Sequence, residues 1–137
     1  MNKVLKVIIV FSLIISFGCG KSRIMQNLVG SWDMQFFEQN PRYKSITWTF
    51  SADNKITKEI NDTVKFVGTY SIISKITDKG NYIKITGLSE EFGDSVLAND
   101  DGTYYIHKLS SDQLVIQRVE AYGRTAGVYK WYEFVKK

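Results

Sequence analysis

Apolar and polar residues alternate with period two along most of the chain, in segments of about 6–10 residues, as half-buried strands require. From Val29 to Phe37, Trp32, Met34 and Phe36 share one face. Asn40-Pro41-Arg42 marks a turn. From Tyr43 to Phe50, Ile46, Trp48 and Phe50 oppose Thr47 and Thr49. Ser51-Ala52-Asp53-Asn54 reads as a tight turn into a strand with Ile56, Lys58 and Ile60. Asn61-Asp62-Thr63 turns again, and Val64, Phe66, Gly68, Tyr70 and Ile72 alternate beyond it. Asp78-Lys79-Gly80-Asn81 leads into Tyr82 to Thr86. Gly87 to Gly102 has no clear period and predicts only a short strand near Ser95 to Ala98. Thr103 to Leu109 and Gln113 to Ala121 form a hairpin around Ser110-Ser111-Asp112. Arg124 to Gly127 is a loop, and Val128 to Val135 is the last strand. Helical periodicity is confined to one turn over Ser22 to Leu28.

This pattern predicts an all-β domain of about eight strands joined by short turns. An antiparallel meander of that size closes into an up-and-down barrel, which removes exposed edges. The competing architecture is a sandwich of seven or eight strands. An eight-stranded barrel has an interior that side chains fill or that holds one small ligand.

The first residues follow other rules. Lys3 and Lys6 precede an apolar run from Val7 to Phe17, broken only by Ser12 and Ser16, and Gly18 and Cys19 follow. A basic start, a short apolar stretch and a small residue form a signal peptide, here predicted over 1–18 and removed. The run is shorter than the roughly 20 apolar residues of a spanning helix. The formal net charge of +4 includes Lys3 and Lys6, so the remainder is milder still and its cations are scattered. That is too mild to argue for a nucleic-acid partner, and none is expected. With one cysteine no disulfide can form within the chain, and the core must hold the domain together.

Ser16-Phe17-Gly18-Cys19 resembles a lipobox, the site of the lipoprotein signal peptidase. Gly18 and Cys19 fit; Phe17 is bulkier than usual, and Ser16 stands where Leu is usual. The resemblance implies a diacylglycerol thioether on Cys19, an acylated amino group and a membrane as partner. More than one acyl chain makes such anchoring durable. No Asp follows Cys19, which by resemblance favours the periplasmic face of the outer membrane. Residues 19–26 would form a lipidated, basic tether beside anionic headgroups, and 27–137 the barrel.

Leu28-Val29-Gly30-Ser31-Trp32 resembles the Gly-x-Trp start of the lipocalin first strand. Trp48 to Asn54, Gly68 to Ile72, Tyr104 to Leu109, Leu114 to Ile116 and Tyr132-Glu133-Phe134 complete a resemblance to small bacterial lipocalin-like lipoproteins. The body is shorter than full lipocalins and lacks a Thr-Asp-Tyr motif. Full lipocalins pack a basic residue over the first-strand Trp, and the resemblance offers Lys130 or Arg124 for Trp32.

The chemistry on offer is sparse. Trp32 reads as a core plug at the closed end of the barrel. Trp48, Phe50, Phe66 and Tyr70 either line a mouth for a small apolar ligand or fill the core. His107 is the only histidine and has no second metal-ligating neighbour, so neither a zinc site nor a catalytic triad can be assembled. Asn99-Asp100-Asp101-Gly102 lacks the spacing of a calcium loop and reads as a turn. Glu90, Glu91 and Asp94 read as a solvated acidic loop. No cofactor or metal is expected. Asp62-Thr63-Val64 and Asp94-Ser95-Val96 resemble the short motif glycosylated on oxygen in some periplasmic lipoproteins, which would mark Thr63 and Ser95. The expected function is non-catalytic: an envelope lipoprotein binding a small apolar molecule or a partner protein, or else a solid-core scaffold.

Overall fold

The computed structural model describes residues 20–35, 44–92, 95–122 and 130–137, with backbone alone at 89–92 and 95–99. Cys19, Phe36, the Asn40-Pro41-Arg42 turn, Asp94, Arg124 and Val128 lie outside the described residues, as do the side chains of Glu90, Glu91 and Ser95.

Residues 20–28 form a helix, α1, longer than the single turn expected over Ser22 to Leu28. Among the described residues ten strands follow: β1 (Gly30–Gln35), β2 (Ile46–Phe50), β3 (Lys55–Ile60), β4 (Val64–Ser74), β5 (Asn81–Thr86), β6 (Ser89–Phe92), β7 (Ser95–Asn99), β8 (Gly102–Leu109), β9 (Gln113–Ala121) and β10 (Trp131–Lys136). Eight of them close an antiparallel barrel in the order β1-β10-β9-β8-β5-β4-β3-β2. This is the predicted all-β, eight-stranded, up-and-down architecture, and it is consistent with a lipocalin-like barrel. The sandwich is excluded, because β1 pairs with both β2 and β10 and leaves no edge. The obscure segment 87–102 adds two strands outside the barrel: β6 and β7 pair only with each other, and β5 passes directly to β8.

The turns obey local chemistry. Asn61 and Asp62 both take positive φ, 53° and 58°, between Ile60 and Thr63. They lie in the three-residue connection 61–63, which the Thr63 N–H closes on the Ile60 carbonyl at 3.1 Å, and Asn and Asp tolerate this left-handed backbone. Asn54, at φ 63°, does the same in the β2–β3 turn.

Alternation then builds the core. Ile46, Trp48 and Phe50 of β2, Ile83 and Ile85 of β5, and Leu114 and Ile116 of β9 point inward and are buried. Gly68 occupies an inward position between Phe66 and Tyr70 for a steric reason. A Cβ there would stand 2.4 Å from the Thr86 carbonyl oxygen.

One end of the barrel is sealed by α1. Leu28 is fully buried in the core cluster, and Met25 packs against it. Trp32 Nε1 donates to the Leu28 carbonyl at 2.7 Å. Lys136, paired with Trp32 across the β1–β10 seam, donates to the Asn27 carbonyl at 3.1 Å. Its ammonium also lies 4.9 Å from the centre of the Trp32 ring. These bonds satisfy carbonyls that the last turn of a helix leaves open, and they put a cation at the negative end of its dipole. The basic residue over Trp32 is therefore Lys136. Of the two residues offered for this role, Lys130 is exposed and Arg124 lies outside the described residues. Lys136 reaches the ring because it stands opposite Trp32, whereas Lys130 precedes β10 at the other end.

Gly68→Ala is expected to lower stability by about 1–3 kcal/mol, since a Cβ so close to the Thr86 carbonyl must displace backbone. A urea midpoint that falls with unchanged slope would bear this out; an unchanged midpoint would mean Thr86 is not so close.

Candidate functional site: polar groups inside the barrel

Most inward positions hold aliphatic or aromatic side chains, and two central ones hold cations instead. Lys58 sits between Ile56 and Ile60 on β3, and only 6% of it is exposed. Arg118 follows Leu114 and Ile116 on β9 and is buried as well. Burying a charge is costly unless it is paired and hydrogen-bonded. Lys58 is ion-paired with Asp100, itself buried. Asp100 lies in the β7–β8 connection, as the turn reading of Asn99 to Gly102 predicts, but its side chain turns inward.

Two tyrosines complete the cluster. Tyr132 donates its hydroxyl to Asp100 Oδ1 at 3.2 Å. Tyr104 donates to the Asp100 carbonyl oxygen at 2.5 Å. Burial raises the pKa of both hydroxyls well above the ordinary tyrosine value; Asp100's negative charge adds to the shift, as does Tyr132 at Tyr104. Both tyrosines therefore stay protonated and act as donors throughout the neutral range.

Trp48 lies beside this cluster and is fully buried. Its ring centre is 5.2 Å from Phe134, 5.7 Å from Tyr132, 5.9 Å from Tyr104 and 6.4 Å from Phe50. Such edge and tilted contacts suit the ring quadrupole. The exception is its polar atom: Trp48 Nε1 is buried and has no hydrogen-bond partner among the described residues. Buried indole N–H groups usually find an acceptor. Across the β2–β3 pair, Trp48 stands directly opposite Lys58, and Lys58 opposite Phe66.

The four aromatics expected to line a ligand site fall into two groups. Trp48 and the partly buried Phe66 flank Lys58. Phe50 and Tyr70 pack edge to face at 5.1 Å toward α1. Tyr70 donates its hydroxyl to the Ser51 carbonyl at 2.7 Å, so its polar atom is spent on the sealed end. Thr63 is exposed in the β3–β4 turn. Lys58, Asp100, Arg118, Tyr104 and Tyr132 were not singled out as site residues from the sequence. Their signal was present in part. A Lys between two isoleucines at period two, as in Ile56-x-Lys58-x-Ile60, must share their face.

His107 faces outward. It hydrogen-bonds Gln117 at 3.0 Å and lies between Tyr105 and Trp131, with ring centres 4.6 Å and 4.3 Å away. It also borders a cleft of about 390 Å³ between α1 and β8, which Arg23, Asn27, Asn81 and Lys108 line with it. Among the described residues no group of three metal-ligating side chains converges. Beside it, Tyr82 donates to Asp78 at 2.5 Å, and this bond pushes the Tyr82 pKa up to about 12.

Comparison with models of protein families, with curated proteins and with solved structures finds no match to this chain.

Lys58→Met leaves Asp100 buried without its cation and should cost about 3–5 kcal/mol of stability. Combining it with Asp100→Asn should restore much of that loss. A double-mutant cycle by urea unfolding measures the coupling, and simple additivity of the two changes would refute the buried pair.

Proposed function

We propose that the chain is a lipid-anchored lipoprotein of the cell envelope whose lipocalin-like barrel binds a small, mainly apolar molecule without catalysing its conversion. One observation carries the binding reading: an aromatic interior holds the unpartnered Trp48 N–H beside a buried ion pair. A barrel evolved for packing alone gains nothing from charges in its core, because apolar residues of similar volume are as stabilising or more so. Apolar walls with a few convergent polar groups are the usual make-up of a small-molecule site. The ligand would enter at the end opposite α1, where Asp100 and Tyr132 stand.

The anchor reading rests on the first nineteen residues and agrees with the placement of charge. The end of the barrel that α1 seals carries Lys21, Arg23, Lys75, Lys79, Lys108 and Lys137. Asp53 there is ion-paired with Lys55, and these cations outnumber the other carboxylates of that end, Asp78 and Asp112. A basic end beside the lipidated residue suits an anionic leaflet, at about 1 kcal/mol per cation near the surface. We place the protein on the periplasmic face of the outer membrane, with the ligand end away from the lipid. Solid-core scaffolding is the second reading, and the full burial of Trp32, Trp48, Tyr104 and Phe134 favours it.

Cys19→Ala should accumulate uncleaved precursor and yield no acylated product on intact mass; normal processing would refute the anchor. Native mass spectrometry of the wild-type protein, released gently from its membranes, should show a bound small molecule. Persistently empty protein that also ignores hydrophobic dyes would leave the scaffold.

A further inference from the structure

The end of the barrel that α1 seals also carries the β2–β3, β4–β5 and β8–β9 turns. The β4–β5 turn holds Ile76, the most exposed large hydrophobic side chain among the described residues, at 83%. The others, Val64, Val67, Trp131 and Val135, lie within strands. Turn positions ordinarily take Gly, Pro, Asn, Asp or Ser, and an aliphatic side chain in water is unfavourable. The turn that presents Ile76 is braced. The Lys75 N–H donates to the Gly80 carbonyl at 2.9 Å. The Asp78 carboxylate accepts the Gly80 N–H at 2.9 Å and the Tyr82 hydroxyl at 2.5 Å. The Lys75 ammonium lies 4.5 Å from the centre of the Tyr82 ring. Ile76 therefore stands on a fixed turn, with Lys75 and Lys79 on either side of it in the chain.

This turn adjoins the cleft of about 390 Å³ between α1 and β8. Asn81 lines the cleft and pairs in register with Ser74, where β4 enters the turn. The cleft is amphipathic. Ile24 and Ile106 give it apolar surface, Asn27 and Asn81 supply amides, and Arg23 and Lys108 supply cations. Lys108 donates to Gln113 at 2.5 Å and has further N–H donors to give. No carboxylate lines the cleft among the described residues. Over the whole end, the six cations named above outnumber the anions left beside the Lys55–Asp53 pair, which are Asp78, Asp112 and the terminal carboxylate.

An exposed aliphatic residue set among cations matches a phospholipid surface, where anionic phosphates overlie hydrocarbon. A protein partner would meet a broader apolar centre rich in aromatics. A nucleic acid would use the cations and leave Ile76 in water. We infer that the α1 end docks in a fixed pose on an anionic bilayer, with Ile76 at the acyl boundary and a lipid phosphate received by Arg23 and Lys108 in the cleft. The inference rests on the anchor reading and deepens it: the lipid on Cys19 keeps the chain at the leaflet, and the docked end sets its orientation.

The test places one nitroxide on the processed chain, reconstituted in vesicles of phosphatidylcholine and phosphatidylglycerol in equal parts. Thr77→Cys puts the label beside Ile76, and Thr63→Cys puts it in the β3–β4 turn at the other end; both positions are exposed. Collisions with oxygen, which concentrates in hydrocarbon, and with a nickel chelate, which stays in water, report the depth of the label. The label at 77 should favour oxygen severalfold, and the label at 63 should favour the chelate. Ile76→Ser should return the label at 77 to water, and so should Arg23→Gln combined with Lys108→Gln. Neither change should move the thermal midpoint, because all three side chains are exposed. On phosphatidylcholine alone the label at 77 should lie shallower. Labels in water at both ends would overturn the docking and leave the lipid anchor standing. Unchanged depth in the Arg23 and Lys108 double variant would overturn the phosphate cleft, and equal depth on phosphatidylcholine alone would overturn the anionic surface. A thioether on Cys19 blocks labelling there, so intact mass should show one nitroxide per chain. Two would overturn the anchor reading, and the same depth measurement in a Cys19→Ala background then decides the docking by itself.

Discussion

The ion pair between Lys58 and Asp100 is the constraint around which one half of the barrel is arranged. An ammonium placed between two isoleucines cannot stay charged inside a barrel without an anion at hand. The chain provides one from the β7–β8 connection, drawing Asp100 inward rather than leaving it in a solvated turn. Asp100 in turn receives Tyr132 from β10 and lies within reach of Tyr104 from β8. One pair thus ties β3, β8 and β10 together through the interior. Those strands are not neighbours on the β3 side, so hydrogen bonding along the sheet could not do this.

The other half is organised by the seam between the first and last strands. Trp32 and Lys136 face one another across β1 and β10, and both reach the final carbonyls of α1. Gly30 makes this possible: a Cβ there would lie 2.8 Å from Lys136 Cε, and φ is 134°. The Gly-x-Trp pattern has a physical meaning in this chain. Glycine clears the path of the lysine, and tryptophan gives it a ring to cover and a donor to share. The two halves differ in character, one sealed by α1 and the other built around a buried ion pair. Trp48 joins them through its contacts with Phe50, Phe134, Tyr132 and Tyr104.

Strand alternation made the barrel legible before any coordinates. All eight barrel strands were foreseen, because a half-buried strand writes its inner face as every second residue. The pair β6 and β7 was only half foreseen, since it shares no core with the barrel and so imprints no regular apolar face. Trp48 and Phe66 were legible as inward residues. Phe50 and Tyr70 were too, but period two says which face a residue takes and nothing about which end of the barrel it occupies. Lys58 was in plain view on the face of Ile56 and Ile60. Asp100 was not, because a turn aspartate is ordinarily solvated and only the fold shows this one pointing inward. The choice of Lys136 over Lys130 for Trp32 needed the register of β1 against β10.

The central claim is that the interior beside Lys58 and Trp48 is a ligand site rather than a finished core. A high-resolution crystal structure of protein taken from its native membranes tests it most directly. The account predicts elongated, non-protein density in the barrel, with an oxygen within hydrogen-bond distance of Trp48 Nε1. A barrel filled only by its own side chains, with the indole N–H bonded to a single buried water, would contradict it.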